Sequence, residues 1–153
     1  PDIDSVTPEY WDDRMNINLR HYFFATQAVY KDMKNFGKGS VVNIGSFSWM
    51  ISQGGMAGYT TAKSAIMGLT RTLARDLGVY NIRVNCIVPG WIITDRQKKL
   101  WLTPEIEKTQ LERQCIKRML MPEDISKPVL FFASDQSSGC TAQNYVIDGG
   151  IVN

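Results

Sequence analysis

The sequence has a single histidine, His21, in 153 residues. That excludes a metal site built from several histidines of this chain and leaves a Ser-His-Asp triad one candidate base. Cysteine is scarce as well: Cys86, Cys115 and Cys140 are odd in number, widely spaced and form no C-x-x-C. Neither a disulfide framework nor a zinc knuckle follows, so no metal is expected and a reduced, cytoplasmic setting is. No apolar run approaches the roughly 20 residues of a membrane helix, and no membrane partner is expected. The opening Pro1-Asp2-Ile3-Asp4 is acidic, unlike the basic start of a signal peptide. Excess charge of one sign is missing too. Lys and Arg number 17 against 15 Asp and Glu, a net +2. That is too little, and too scattered, to point to nucleic acid.

What is present is globular in character, with 44% hydrophobic and 21% charged residues. The length is that of one ordinary domain. A start without Met suggests a piece of something longer.

Thr7-Pro8-Glu9 begins a helix: a capping threonine, proline at the first position, an acid in the first turn. Trp11, Met15, Leu19, Tyr22, Val29, Met33 and Phe36 follow as one helical stripe, stopped at Gly37. Residues 40–45 form a short β-branched run, a buried strand. Gly54, Gly55 and Gly58 mark a loop. A helix from Tyr59 carries Ala62, Ile66, Leu69, Leu73 and Leu77 and stops at Gly78. Residues 82–88 form a second strand, closed by Pro89-Gly90. Strand, helix, strand is a β-α-β unit with parallel strands. Segment 92–121 is charged and irregular, with a helix start at Thr103-Pro104-Glu105. A last helix begins at Pro122-Glu123-Asp124. Pro128 falls inside it, lacks the N–H owed to Asp124 and is a potential kink. Residues 145–148 give a final strand before Gly149-Gly150.

Tyr59 and Lys63 lie four apart at the start of a helix, so their side chains share one face. An ammonium near a phenol favours the phenolate and suits the pair to proton exchange. Alone, the spacing is more often a surface tyrosine beside a solvated lysine. The surroundings matter. Ser46 and Ser48 follow the end of the first strand, where ligands bind in open parallel sheets. Ser46 there either bonds a substrate oxygen or is a simple turn serine. Pro89-Gly90, with Thr94 four residues on, lies at the next strand end. There the backbone admits a flat ring and a hydroxyl reaches an amide or phosphate; an ordinary Pro-Gly turn is the alternative.

In these stretches the sequence resembles the short-chain dehydrogenases/reductases. The matching segments are M-N-I-N-L-R (15–20), V-V-N-I-G-S (41–46), Y-T-T-A-K (59–63), R-V-N-C-I-V-P-G-W-I-I-T (83–94), P-E-D-I (122–125) and Y-V-I-D-G-G (145–150). They keep the family's order and spacing over nearly the whole chain.

The resemblance implies an α/β, Rossmann-type doubly wound parallel sheet. The chain 1–153 would supply its C-terminal part, the last three strands with their helices, and residues 92–121 a substrate-loop region. The glycine-rich phosphate turn and the residue that chooses the cofactor are absent. The first four strands, roughly 90 residues at about 30 per β-α unit, would lie outside the chain.

The resemblance also implies roles. Tyr59 would be the general acid/base. Lys63 would lower its pKa and bind the nicotinamide ribose, and Ser46 would hold the substrate oxygen. Asn18 would perturb its helix and hold a water that relays protons to Lys63. Ile92 would meet the carboxamide, Thr94 would lie near it or the phosphates, and Pro89 and Gly90 would line the same site. The cofactor is NAD or NADP.

A narrower resemblance, to sugar 1-dehydrogenases, lies in 94–117 and around Trp49. It implies oxidation of an aldose to its lactone. Trp49, Trp91 and Trp101 would stack on the sugar and Gln53 would bond its hydroxyls, with core or subunit packing the equal alternative for the tryptophans. Beside an aldose stand two further readings: a carbonyl or 3-ketoacyl reductase, and a non-catalytic fragment held by subunit packing. A homodimer or homotetramer is expected, through the helices at 8–36 and after Tyr59.

Overall fold

The computed structural model describes residues 2–152. Pro1 and Asn153, the ends of the expected 1–153 unit, lie outside the described residues. Thr7 caps α1 (Pro8–Met15): its hydroxyl accepts from the Tyr10 N–H at 3.2 Å, and Pro8 takes the first helical position, where no N–H is owed. The single helix expected over 8–36 is in fact α1, a π turn at Asn16–Arg20, and α2 (His21–Phe36). Tyr22, Thr26, Tyr30 and Met33 form the inward face of α2. Val29 and Phe36 sit at the edge of that face, by their angle around the helix, and are exposed, as is Trp11 on α1. Gly37 ends α2 at φ 84°, a left-handed conformation that glycine adopts without strain.

The strands are β1 (Gly39–Ile44), β2 (Ile82–Pro89) and β3 (Asn144–Ile147), each bounded within a residue of expectation. They pair in parallel in the order β1-β2-β3, with Val41 opposite Val84 and Cys86 opposite Asn144. β2 is central. Its residues Ile82, Val84, Cys86 and Val88 face α3 (Ala57–Leu77), against Ile66, Leu73, Ala74 and Leu77. Enclosing a side chain such as Ile66 contributes about 2 kcal/mol. The alternate residues point the other way. Arg83 donates to the carbonyls of Phe132, Ser134 and Cys140, and Ser40 donates to Phe132. Phe132 belongs to α6 (Pro122–Ala133), so helices cover both sheet faces, the layering of a doubly wound fold.

One further expectation is corrected. Segment 92–121 contains α4 (Asp95–Leu100) before α5 (Pro104–Arg113), where only the second helix was foreseen. α4 is a single charged turn and a half, held by its cap rather than by an apolar stripe. Pro128 does not interrupt α6, which runs through it. The segment returns to the sheet end, where the Ile93 N–H donates to Leu120 O at 2.8 Å. No helix among the described residues is long and apolar enough to cross a membrane.

Candidate active site

The predicted residues lie on two segments that leave the sheet at the carboxyl ends of adjacent strands. After β1, Ser46 is buried and caps a short 3-10 turn, Phe47–Trp49. Its Oγ accepts from the Ser48 N–H at 3.2 Å and donates to Ser48 Oγ at 3.0 Å. Ser46 and Ser48 are therefore one hydrogen-bonded unit. Trp49 is half-buried, and its indole N–H is enclosed without a hydrogen-bond partner. Gln53 is exposed.

Tyr59 and Lys63 occupy the first turns of α3, both half-buried. Lys63 Nζ donates to Ile44 O at 3.0 Å and to Tyr22 Oη at 3.2 Å. It stands 5.9 Å from the Tyr59 ring centre and 5.3 Å from that of Tyr22. Tyr22 in turn donates to Ile44 O at 2.7 Å. Ile44 ends β1 two residues before Ser46, so the structure brings Ser46, Tyr59 and Lys63 to one strand end. Asn18 lies in the π turn, which packs against α3. One of its amide N–H groups donates to Arg14 O at 2.9 Å, one turn back, while the Lys63 ammonium directly meets Ile44 O and Tyr22 Oη.

Burial dominates the electrostatics here. It pulls the Lys63 ammonium below the ordinary lysine value, an effect the Cys86 sulfur partly opposes. Burial also pushes the Tyr22 phenol up to about 12, with the Cys86 and Tyr59 charges adding to it and the Ile44 hydrogen bond opposing. Cys86, on the strand beneath, is pushed up to about 11, again chiefly by burial.

On the second segment, the Gly90 N–H donates to Ile147 O at 2.8 Å, and a Cβ there would stand 2.6 Å from the Asp148 Cα. A larger residue would push the ends of β2 and β3 apart. Ile92 forms a parallel bridge with Leu120. Thr94 caps α4 by accepting from the Gln97 N–H at 3.3 Å, which leaves its own proton to donate. Trp91 packs against the cluster around Phe47 and Ile66, and its indole N–H donates to Gln97 Oε1 at 2.6 Å. Pro89 and Ile92 border an apolar cavity of about 550 Å³ with Ile125, Val129 and Leu130 of α6.

This donor set fits a nicotinamide nucleotide. Lys63 has three N–H groups and uses two within the protein, so one remains for a ribose hydroxyl. The Thr94 hydroxyl, past the end of the adjacent strand, is a further donor. Among the described residues, no group of three or more His, Cys, Asp or Glu side chains is placed to hold a metal.

Two residues escaped the sequence reading. Tyr22 sits in the helical stripe like any core aromatic, with nothing local to reveal its partners. Gln114 is buried, accepts from Gln110 and donates to Ile116 O and Arg118 O. The N–H groups of Cys115 and Ile116 then donate to Gly149 O, fastening segment 92–121 to the chain after β3.

Comparison with known proteins agrees with this geometry. The family model described as Enoyl-(Acyl carrier protein) reductase matches residues 1–152. The chain is 49% identical over 149 residues to the "Probable galactose dehydrogenase" of Rhizobium meliloti, covering 97% of this chain and 58% of that protein. It is 50% identical over 145 residues to the D-xylose 1-dehydrogenase of Caulobacter vibrioides, covering 95% and 58%. The chain thus spans somewhat over half the length of these relatives. Among solved structures, the 3-oxoacyl-[acyl-carrier protein] reductase of Brucella melitensis superposes with a TM-score of 0.89 at 28% identity, over 99% of this chain and 56% of that one. Its sheet and flanking helices match the C-terminal portion of that fold, and the chain belongs to the short-chain dehydrogenase/reductase family.

Proposed function

We propose that the protein carrying this chain is an NAD(P)-dependent oxidoreductase that oxidises an aldose to its lactone. The observation that carries this reading is the Lys63 ammonium held at Ile44 O, beside Tyr59 and two residues before Ser46. Asn18, Ser46, Tyr59 and Lys63 form the catalytic group. Tyr59, Lys63, Pro89, Gly90, Ile92 and Thr94 hold NAD or NADP. Ser46, Ser48, Trp49, Gln53 and Trp91 line the substrate side, and segment 92–121 closes over it.

The bound nicotinamide supplies the hydride acceptor. Ser46 Oγ, oriented by Ser48, bonds the substrate hydroxyl. Tyr59 Oη takes its proton. Lys63 gives its remaining N–H to the ribose and places positive charge beside the tyrosine. The sugar enters through the relatives, two of which are named for galactose and D-xylose at about half identity. A cytoplasmic homodimer or homotetramer goes with this reading.

The test uses the full-length protein, NAD or NADP, and a panel of aldoses and 3-ketoacyl thioesters. Reduced cofactor is expected with an aldose. Tyr59→Phe should lower kcat by about 10²–10⁴. Turnover kept within tenfold sinks the mechanism, and turnover on ketoacyl substrates alone moves the reading to a carbonyl reductase.

A further inference from the structure

We propose that Tyr22 is a positioning residue for Lys63, fixing the direction of its ammonium through the hydroxyl that both share with the Ile44 carbonyl. This rests on the reading that Lys63 serves the reaction.

A lysine ammonium on a flexible four-carbon stem is not fixed by one acceptor. Here two acceptors converge from different elements. Ile44 O lies 3.0 Å away at the end of β1, and Tyr22 Oη lies 3.2 Å away on α2. With two N–H directions set, the third is set too. Tyr22 is itself immobile: its O–H is committed to Ile44 O at 2.7 Å and its ring stands 4.1 Å from that of His21. It also packs into the cluster of Phe47, Ile66, Cys86 and Val88.

The other titratable groups near Lys63 do not duplicate this role. Tyr59 is on the same helix, its ring centre 5.9 Å away. Cys86, on β2, turns its thiol to Ile87 O at 3.5 Å. Packing alone does not require the Tyr22 hydroxyl, since phenylalanine fills the same space. A half-buried hydroxyl is retained where it has partners. With its proton donated to Ile44 O, the phenol oxygen turns a lone pair to Lys63.

The test is Tyr22→Phe in the full-length protein. Lys63 is labelled competitively with acetic anhydride over a pH series, and the peptide is read by mass spectrometry. Loss of a hydrogen bond to the charged form lowers the labelling midpoint of Lys63 by about one pH unit. In aldose oxidation kcat falls about tenfold, while KM for the sugar stays within about twofold. A midpoint that does not move overturns the proposal, and so does a kcat that does not fall. If Tyr22→Phe does not fold, 4-fluorophenylalanine installed at position 22 keeps the ring's length and replaces the hydroxyl with a much weaker acceptor that does not titrate. It lowers the same midpoint, or its failure to do so overturns the proposal. Lys63→Met separates the two readings. Turnover retained in that variant removes the catalytic role of Lys63, and with it the positioning role. The labelling midpoint needs no turnover and still reports the Tyr22 contact.

Discussion

At Cys86 the thiol lies wholly inside the sheet–helix layer, and burial raises its pKa from 9.0 to about 11. The unfolded chain therefore loses this proton first as pH rises. Below pH 9 the thiol is protonated in both states. Above it, stability falls until the folded thiol also ionises, a loss of about 3 kcal/mol across the window. Tyr22 adds a second loss, from pH 10 towards about 12. Urea unfolding at pH 8 and pH 10.5 checks the sign. Cys86→Ala should be less stable at pH 8 by about 1 kcal/mol, from the lost packing. It should also lose less than the parent on going to pH 10.5. An equal loss in both proteins would show that the thiol does not set the alkaline limit. At this scale legibility followed sequence distance. Tyr59 and Lys63 are four apart on one helix, so their pairing could be read. Tyr22 meets Lys63 and Ile44 from 41 and 22 residues away, and no local pattern encodes that meeting.

Among the elements, α6 begins on a carboxylate that does two tasks. Asp124 accepts from the Met121 N–H at 2.8 Å and from both Arg118 terminal nitrogens at 2.7 Å. The arginine, and then the backbone N–H, hold its pKa down to about 2 against 3.8. A lowered carboxylate pKa gives stability that is present above pH 3.8 and is lost as pH falls towards 2. Asp124→Ala should cost about 1 kcal/mol at pH 7, the usual worth of a helix-start cap. The difference from the parent should shrink by pH 3, as measured by urea midpoints at the two values. A constant difference would assign the cost to packing. The start of α6 was readable because Pro122-Glu123-Asp124 carries its own chemistry. The β-strands and α3 were readable from their periods. The π turn at Asn16–Arg20 was not readable from the stripe, since one extra residue changes its phase without changing its composition; only the family resemblance pointed to a perturbed helix at Asn18. α4 escaped because its six residues, Asp95–Leu100, carry no apolar repeat.

For the whole molecule, the parallel β-α-β order followed from the alternation of strand and helix patterns, while the closing of segment 92–121 through Gln114 and Gly149 depended on long-range packing alone. The outward side of α2 is also a property of the whole. Its inward face packs on β1 and α3, yet Phe23 and Phe24 remain 41% and 49% exposed. Exposed aromatic side chains on one helix call for a cover, which either the rest of the full-length protein or a second subunit would supply. The proposed homodimer or homotetramer would use this helix. Only Arg20, 5.2 Å over the Phe24 ring, shields part of the patch. Combining Phe23→Lys with Phe24→Lys puts two charges where a subunit contact would be dry, at little cost to the fold, because neither ring belongs to the clusters beneath the helix. In sedimentation velocity the full-length parent should run as a dimer or tetramer and the double variant as a monomer with unchanged circular dichroism. A variant that keeps the parent's mass would place the subunit contact elsewhere and assign the cover of these rings to the rest of the full-length protein.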